Sequence, residues 1–467
     1  MSWTRHPLVL LASLLIGAAL GALSPQASTV AALVGRLFGN LMELAALPLL
    51  GVATVFGVRN FIALPQRGRR LALMLGTAAI ALWGCGLLGA FAGALAGLGR
   101  HLDDDALRGL GRLVQQTGGG AGRDVFALVP NAAERAAEAA VGPERARLDN
   151  VFALMVQGNL PALVGCAAVF GLAFASLGRE RNRVLAGQLE AVYRACERLI
   201  ALAIHLLPLL ALGLAAQITA TLDAHTLALL AGPLLVLLGS GVAIALLALA
   251  EICRVARCGP LRALAALKAP MFIALVAPSP VAAIPATIAA LSEKLGLARG
   301  ITELLVPAGA VLLRAGTALH AAVIAVFVAG LYGHAPGLPM LAWIGTLAAA
   351  ASLVAVPGGS VGGLAAAGAL LGWLKLPGDA LLPVLLLVDR LCVGPRQLVG
   401  TFCLGAIVAR ASAGLPSERR ETASSAVSTA LCLSLSRATL ALAVGCVLLA
   451  AALSIVVGMG IGLRVGA

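Results

Sequence analysis

Three charged side chains lie within an apolar stretch near the C-terminal end of the chain. Asp389, Arg390 and Arg396 all fall inside residues 380–409, a segment long enough to cross a lipid bilayer. A guanidinium near the bilayer midplane costs about 2.5 to 3.5 kcal/mol on insertion scales, so arginines in such positions usually have a functional role. A glycine and a proline directly precede Arg396 and loosen the helix there. This pattern predicts that the segment lines the path of an ion or a substrate.

An arginine and a histidine occur in a second long apolar block, residues 300–328. Arg314 lies near the middle of this block, and His320 follows six residues later. Histidine titrates near neutral pH, which makes His320 a candidate proton carrier. A lone histidine in an alanine-rich helix is more often a hydrogen-bonded structural residue, so both interpretations stay open.

The composition of the chain indicates its surroundings. Of its 467 residues, 61% are apolar and 11% are charged, and the mean hydropathy is +1.02, far outside the range of water-soluble domains. The sequence therefore predicts a polytopic membrane protein whose main solvent is lipid. The nine cysteines are scattered through apolar segments without a CxxC pair, so we interpret them as core residues and not as disulfides or a zinc site.

Basic residues are concentrated in alternate loops. Arginines and lysines are frequent within residues 59–70, 179–183 and 254–268, whereas the intervening loops at 24–28 and 222–225 contain none. Under the positive-inside rule, this distribution places the N-terminus and the basic loops in the cytoplasm of a multi-pass protein of the plasma (inner) membrane. The net charge of +13 is therefore an orientation signal and does not favour nucleic-acid binding.

Long apolar blocks provide the elements that position these charges. Each block is long enough for one transmembrane helix. We interpret residues 7–23 as the first such helix and not as a signal peptide, because no convincing cleavage site followed by a soluble domain is present. The six regular blocks are residues 7–23, 29–57, 71–98, 150–178, 199–221 and 226–252.

Two further apolar segments are broken near their middle. Residues 263–296 contain APSPVAAIP, and residues 340–373 contain VPGGS. Backbone freed by proline is tolerated at membrane depth only where protein or a wet cavity satisfies it, which favours re-entrant hairpins over plain spans. Broken segments at matching places in two halves are typical of transporters built from inverted repeats, although two proline-kinked helices would give the same pattern. A last apolar block, residues 438–463, predicts an extra C-terminal helix.

Six groups of residues, taken in chain order, resemble the dicarboxylate/amino acid:cation symporter family, which has the glutamate-transporter fold. The resemblance runs from residue 7 to about residue 410, and the order and spacing of the motifs agree with the family throughout. The matching residues are LFGNLM at 37–42 with LPL at 47–49, NVF at 150–152 with GN at 158–159, Pro285, PAGA at 307–310 with GTA at 316–318, VPG at 356–358, and DR at 389–390 with Arg396.

The resemblance implies an all-α polytopic membrane protein with about eight transmembrane helices, two re-entrant hairpins and inverted repeats, to which the extra C-terminal helix is added. It also implies a homotrimer in which a mobile transport unit crosses the membrane as a rigid body against a fixed scaffold. The expected parts are scaffold helices one and two (1–70), transport helix three (71–98), an external loop (99–149), scaffold helices four and five (150–221), the rest of the transport unit (226–410, with hairpins at about 263–296 and 340–373), a polar linker (411–437) and the C-terminal helix (438–463).

The sodium ligands of the family are largely missing from this chain. A sodium site needs several hard oxygen ligands, yet where the family reads N-M-D-G-T this chain reads LRAGT at 313–317. The family's N-V-T-G-D likewise becomes GTFCL at 400–404. We therefore expect no cofactor and no sodium bound in the family's manner, with a proton as the alternative coupling ion.

Arg314 occupies a position that helps to form a sodium site in the family. Our hypothesis is that Arg314, with Asp389 as its partner, replaces the sodium ion and makes transport either proton-linked or an exchange. The alternative is that Arg314 binds neighbouring carbonyl groups as a structural residue. Asp389 also lies beside Arg390, and we expect these two neighbours to form an ion pair.

The resemblance assigns to Arg396 the task of gripping a substrate carboxylate, through the paired hydrogen bonds that a guanidinium makes with a planar anion. The acid that would bind an amino group is replaced by Val393, and the following threonine by Gln397. An alkyl group cannot neutralise an ammonium, so we expect an organic anion without an α-amino group. The remaining residues of the predicted substrate site are Ser279, Thr317, Val356 and Gly358.

The sequence therefore predicts a secondary active transporter of small organic anions, of the dicarboxylate or acidic amino acid class, that works by an elevator movement. A non-transporting membrane sensor or scaffold with the same fold is the alternative. An intramembrane protease is not favoured, because GGSVG at 358–362 matches G-x-S-x-G but no histidine follows Ser360 to act as its base. The expected partners are the lipid bilayer, a small anion and further copies of this chain.

Overall fold

A computed structural model describes ten parts of the chain. Several predicted features lie outside them: most of the external loop, the C-terminal helix at 438–463, and Ser279, Val356 and Gly358 at the two tips. The described residues are 7–23, 45–62, 67–100, 160–176, 179–204, 207–221, 224–277, 280–354, 362–378 and 381–415.

All regular secondary structure within these ranges is helical. A 3₁₀-helix (Pro280–Ala283) and a π-helical turn (Ala289–Lys294) supplement the α-helices. The α-helices are α1 (Pro7–Leu23), α2 (Ala45–Ile62), α3 (Arg67–Leu95), α4 (Leu160–Ser176), α5 (Arg179–Ile204), α6 (Leu207–Thr221), α7 (Ala224–Ala256), α8 (Pro260–Val276), α9 (Ile284–Ile288), α10 (Arg299–Leu312), α11 (Ala315–Leu331), α12 (Leu338–Val354), α13 (Gly362–Trp373) and α14 (Leu382–Ser412).

Five of the described helical segments are long and apolar enough to cross a membrane. Large apolar side chains on these segments are exposed, among them Trp83 on α3 and Leu247 on α7. Lipid is the solvent in which such a surface is favourable. The prediction of an all-α polytopic membrane protein is thereby confirmed. The five segments are Ala45–Ile62, Gly68–Leu95, Leu230–Ala256, Arg299–Leu331 and Val384–Ser412.

One predicted boundary differs from the structure. The apolar block at 199–221 divides into the end of α5 and all of α6, and the arginines at 179–183, expected in a loop, begin α5. The helix α5 has one apolar face, on which Leu185 and Leu189 pack against Phe174 of α4. Its mean hydropathy is low because the opposite face is charged, so a search for apolar blocks misses most of it.

Two compact units divide the chain. All of the charged residues predicted to act in the site, from Arg314 to Arg396, belong to the second unit. The first unit comprises Met1–Leu49, Ala191–Leu227 and Ser428–Ala467, and the second comprises Leu50–Glu190 and Ala228–Val427.

Within the first unit, α1 packs closely along α6. Gly17 and Gly21, one turn apart on α1, have no side chain between them and the backbone of α6. The hydroxyl of Thr219 donates a hydrogen bond of 3.0 Å to the carbonyl of Ala18. Small residues spaced by four are typical of helices that approach closely in membranes, where packing replaces the hydrophobic effect between helices.

The helix α11 occupies the centre of the second unit. Every residue from Ala315 to Gly330 is buried, and α11 contacts α3, α12, α13 and α14. Alanine and glycine make up half of this stretch, which lets the neighbouring helices approach closely. A site on α11 is therefore enclosed by protein on several sides.

The two broken segments each form two helical arms in contact. In the first, α8 packs against the short elements that follow it, which begin at Pro280 and end with the π-helical turn at Lys294. In the second, α12 packs against α13. The arms support the interpretation of these segments as helical hairpins, and their re-entry into the membrane stays a prediction.

Candidate functional site

The predicted seventh helix is in fact two helices, and Arg314 lies in the break between them. Leu313 (φ −89°, ψ 89°) and Arg314 (φ −100°, ψ 51°) have backbone angles outside the helical region. The carbonyl of Arg314 accepts hydrogen bonds from the amides of Thr317 at 2.9 Å and Ala318 at 3.0 Å. Arg314 is thus the N-cap residue of α11, directly before Ala315.

A buried carboxylate in α14 lies between two basic side chains. Arg396 donates a hydrogen bond from Nη1 to Oδ1 of Asp389, and Nε2 of His320 lies 3.4 Å from the same oxygen. All three side chains are enclosed by protein, with relative exposures of 6% for Arg396, 3% for Asp389 and 2% for His320. The guanidinium of Arg396 is therefore held in place by a charge-assisted bond within its own helix.

The predicted ion pair between Asp389 and Arg390 is wrong. Adjacent residues on a helix do not face each other, whereas residues seven apart are two turns apart on the same face. Arg390 is accordingly exposed, while Asp389 binds Arg396. Helix geometry alone would have favoured the pair of Asp389 with Arg396 over the pair with Arg390.

The first residues of α13 lie directly against these charged groups. A methyl group at Gly363 would overlap Nη1 of Arg396 and Oδ1 of Asp389, and one at Gly362 would lie 3.0 Å from Nη1 of Arg314. Gly316 of α11 similarly lies against the carbonyl of Arg396. Glycine is thus required where α11, α13 and α14 converge, because a Cβ atom would displace the charged side chains.

A cavity of about 60 Å³ opens between these helices. This volume accommodates about four to six water molecules, taking roughly 10–15 Å³ for each. Both guanidinium-bearing residues line it. The lining residues are Ala283, Ile284, Thr287, Val306, Gly309, Ala310, Leu313, Arg314, Gly316, Thr317, Gly362, Arg396, Gln397, Gly400, Thr401 and Leu404.

The structure brings together part of the predicted site. Arg314, Thr317, Arg396 and Gln397 line the cavity. Asp389 binds Arg396, His320 lies beside Asp389, and neither is among the lining residues. Val393 and the exposed Arg390 do not line the cavity either. The three tip residues named above lie outside the described part of the chain, so their contribution stays a prediction.

Three of the four positions at which the resemblance expects amide or carboxylate ligands of sodium line this same cavity, and the fourth, Ala315, does not. Leu313, Gly400 and Leu404 replace an amide, a second amide and a carboxylate there. The lining side chains that carry oxygen are those of Thr287, Thr317, Gln397 and Thr401, and none of these is a carboxylate. This donor set does not fit a sodium ion bound in the family's manner, because hard cations prefer several carboxylate or carbonyl oxygens.

The charges around the cavity favour an anion. Arg314 and Arg396 each contribute +1, Asp389 contributes −1, and the sum is +1 when His320 is neutral. Apolar side chains such as Val306, Leu313 and Leu404 also line this space, so a charge there interacts more strongly with a ligand than it would in bulk water. The arrangement can bind a small carboxylate by charge-assisted hydrogen bonds.

Sequence reasoning missed Thr287 and the two glycines that begin α13. Thr287 follows the matched Pro285 by two residues, and its hydroxyl donates 2.7 Å to the carbonyl of Ala283. Its position in the first broken segment could have marked Thr287 as a candidate site residue. Gly362 and Gly363 belong to the glycine-rich stretch around the second tip, but only the packing reveals that they lie against the arginines.

Comparison with known proteins agrees with this architecture. The sequence profile described as the sodium:dicarboxylate symporter family matches residues 7–411. A comparison of the sequence with curated proteins finds no match. The matched region contains every described helix from α1 to α13 and nearly all of α14, including both arginines of the cavity. The chain therefore belongs to the sodium:dicarboxylate symporter family, whose members are transporters.

Proposed function

We propose that this transporter carries a small organic anion without an α-amino group, and that it does so without binding sodium in the family's manner. One observation carries the proposal: two guanidinium-bearing residues, Arg314 and Arg396, line one cavity whose lining residues include no carboxylate. A carboxylate ligand suits this surface, since a guanidinium presents paired donors to a planar anion. An ammonium has no negatively charged side chain to meet among those lining residues.

Arg396 is the better organised of the two ligand-binding groups. Its bond to Asp389 uses Nη1, and a guanidinium has five N–H donors in all, so others remain for a ligand. Because Asp389 already fixes the orientation of the side chain, less conformational freedom is lost when an anion binds. Thr317 and Gln397 add polar groups to the same wall.

Sodium coupling is the property that the altered cavity makes least favourable. A guanidinium placed at position 314 repels a cation, and the three substituted positions 313, 400 and 404 offer no side-chain oxygen. Arg314 supplies permanently the positive charge that a bound ion would otherwise supply. The driving process is then either a proton gradient or exchange with another anion.

His320 and Asp389 are the groups proposed for proton coupling. The two lie 3.4 Å apart in the interior, and a protonated His320 would compete with Arg396 for the same carboxylate oxygen. Protonation would thereby release donors of Arg396 toward the cavity. If His320 is instead only a hydrogen-bonded structural residue of α11, uptake should not respond to a proton gradient.

The movement that accompanies transport is proposed by resemblance. The mobile unit would consist of α3 and α7 to α14, and the scaffold of α1, α2 and α4 to α6. Three copies of the chain would form a homotrimer in the plasma membrane, with the N-terminus in the cytoplasm. The packing of α11 against α3, α12, α13 and α14 supports the mobile unit as one body. Cysteine crosslinking between α2 and the mobile unit, with transport as readout, tests the division.

Uptake by the purified full chain in proteoliposomes tests the proposal. We expect accumulation of labelled small carboxylates that does not change when choline replaces sodium. Strict dependence on sodium would contradict it. Anion binding without any flux, under every gradient applied, would instead favour a non-transporting sensor with this fold.

A further inference from the structure

We infer that the start of α3 and the ends of α7 and α14 together form a binding site for the headgroup of an anionic phospholipid. None of the residues that form this site lines the cavity. The inference goes beyond the proposed function, because it does not depend on which substrate or ion the protein carries.

Three arginines and one glutamate connect these helix ends. Arg70, near the start of α3, donates a hydrogen bond of 2.8 Å from Nη1 to the carbonyl of Ala411, near the end of α14. Nη1 of Arg410, the preceding residue, lies 3.6 Å from Oε1 of Glu251 on α7. Arg254, in the last turn of α7, donates hydrogen bonds of 2.9 and 2.7 Å to the same glutamate. We call Arg70, Glu251, Arg254 and Arg410 the basic cluster.

The basic cluster has an excess of positive charge. Its three guanidinium groups and one carboxylate give a sum of 3 − 1 = +2. The side chains of Arg254 and Arg410 are 66% and 55% exposed, so a ligand can reach both. Arg254 uses Nε and Nη2 to bind Glu251, which leaves the donors of Nη1 for a ligand. The only other acid on these three helices is Asp389, which binds Arg396.

Exposed leucines adjoin the basic cluster. Leu71 and Leu75 of α3 follow Arg70 by one and five residues, and Leu247 of α7 precedes Glu251 by about one helical turn. Because α3 and α7 are both long and apolar enough to cross a membrane, these leucines would contact acyl chains. A phosphate bound to the arginines and an acyl chain along the leucines are two parts of one phospholipid.

The chemistry of the cluster favours a lipid phosphate over a free one. Guanidinium groups bind phosphate through paired, charge-assisted hydrogen bonds. Basic pockets between helices on the cytoplasmic side of a membrane are typical sites for anionic headgroups. The distribution of basic loops predicts that this surface is the cytoplasmic one, since the exposed Arg69 and Arg257 belong to those loops. A free phosphate ion would gain nothing from the adjacent leucines.

Competition between two phospholipids tests the inference. The purified full chain is incubated in detergent with equal amounts of phosphatidylglycerol and phosphatidylcholine that have the same acyl chains, and native mass spectrometry measures the lipid that stays bound. Both lipids contain one phosphate, but only phosphatidylglycerol has a net negative charge. We expect the parent protein to retain about tenfold more phosphatidylglycerol, and we expect added salt to reduce this preference by screening the charges.

Variants change the charge of the basic cluster in both directions. Arg254→Gln combined with Arg410→Gln lowers the sum from +2 to zero and should reduce the preference to about twofold or less. Glu251→Gln raises the sum to +3 and should increase the preference, which a purely structural role of this glutamate would not do. Arg100→Gln is the matched control, because it removes an exposed positive charge beyond the opposite end of α3 and should leave the preference unchanged.

Several results would overturn the inference. Equal retention of the two lipids by the parent protein is one, and a preference that survives in the double variant or falls as far in Arg100→Gln is another. Displacement of phosphatidylglycerol by an equal concentration of inorganic phosphate would contradict a lipid site as well. If the double variant does not fold, the parent protein and Glu251→Gln still decide. Carboxylate uptake is measured separately, so failure of this inference and failure of the proposed function are distinguishable.

Discussion

The two arginines of the cavity are held by segments of different construction. Arg396 lies within the continuous helix α14, seven residues after the carboxylate that it binds, and it is buried. Arg314 lies in a two-residue break between α10 and α11, is only partly buried, and reaches the cavity from a helix end.

This difference separates two tasks that one residue type can perform. In α14 the guanidinium compensates a buried carboxylate, so it stabilises the fold as well as facing the cavity. At the break, Arg314 caps the start of α11 through its backbone carbonyl, which any residue can supply, so this capping does not depend on the guanidinium. We expect both arginines to matter for binding and only Arg396 to matter strongly for stability.

The largest effect is expected from Arg396→Gln. The variant removes charge-assisted hydrogen bonds to the ligand, so anion affinity should fall at least about 100-fold. It also leaves Asp389 buried without its guanidinium, which should lower the free energy of unfolding by about 3 to 5 kcal/mol. Arg314→Gln should weaken binding while changing stability by no more than about 1 kcal/mol. Titration calorimetry and thermal unfolding of the detergent-solubilised proteins measure both quantities.

A double variant controls for the effect of the unpaired carboxylate. Arg396→Gln combined with Asp389→Asn should recover most of the lost stability without recovering the tight binding of the parent protein. Equal losses of stability in Arg314→Gln and Arg396→Gln would refute the distinction between the two segments.

A smaller effect is expected from Gly363→Ala, which disturbs the Arg396 side of the site through packing. The added methyl group would overlap the Asp389–Arg396 ion pair, so the pair must shift. Overpacking of this kind costs about 1 to 3 kcal/mol of stability, and displacement of Arg396 should weaken anion binding about tenfold.

Gly368 on the same helix is the matched control. A methyl group there would meet nothing within 4 Å, so Gly368→Ala should be neutral or should stabilise α13 by about 0.5 to 1 kcal/mol. Similar behaviour of the two alanine variants, in unfolding and in binding, would show that the start of α13 does not lie against the ion pair.

The smallest effect on binding is expected from His320→Gln. Glutamine can still donate a hydrogen bond to Asp389 but does not take up a proton, so anion affinity near pH 8 should change less than about threefold. Under the proton-coupled form of the proposal, uptake driven by an inward proton gradient should be lost. Retention of full gradient-driven uptake by this variant would remove His320 from the coupling mechanism and leave it a structural residue of α11.

Different parts of the site were predictable to different degrees. The apolar blocks indicated most of the long helices, because transfer into lipid depends on local composition. They did not indicate α5, whose charged face conceals an apolar face at helical spacing. The positions of Arg314, Thr317, Arg396 and Gln397 followed from motif spacing, and all four line the cavity.

The partner of Asp389 was predictable in principle but was assigned incorrectly. Proximity in sequence suggested Arg390, whereas the helical repeat brings Arg396 to the same face. The approach of His320 to Asp389 was not predictable from either helix by itself. It depends on the packing of α11 against α14, two elements that are separated by both arms of the second broken segment.

The sequence by itself determined the solvent of this protein, its helical class, its family and the identity of the charges placed in the membrane. These properties depend on composition, on short motifs and on the cost of charge in lipid, all of which are local. Only the tertiary structure decided that Arg314 lies in a helix break, that one carboxylate is shared by Arg396 and His320, and that Arg314 and Arg396 line one cavity. The physical reason is that charge balance and glycine contacts arise between helices that are distant in sequence, and packing alone brings them together.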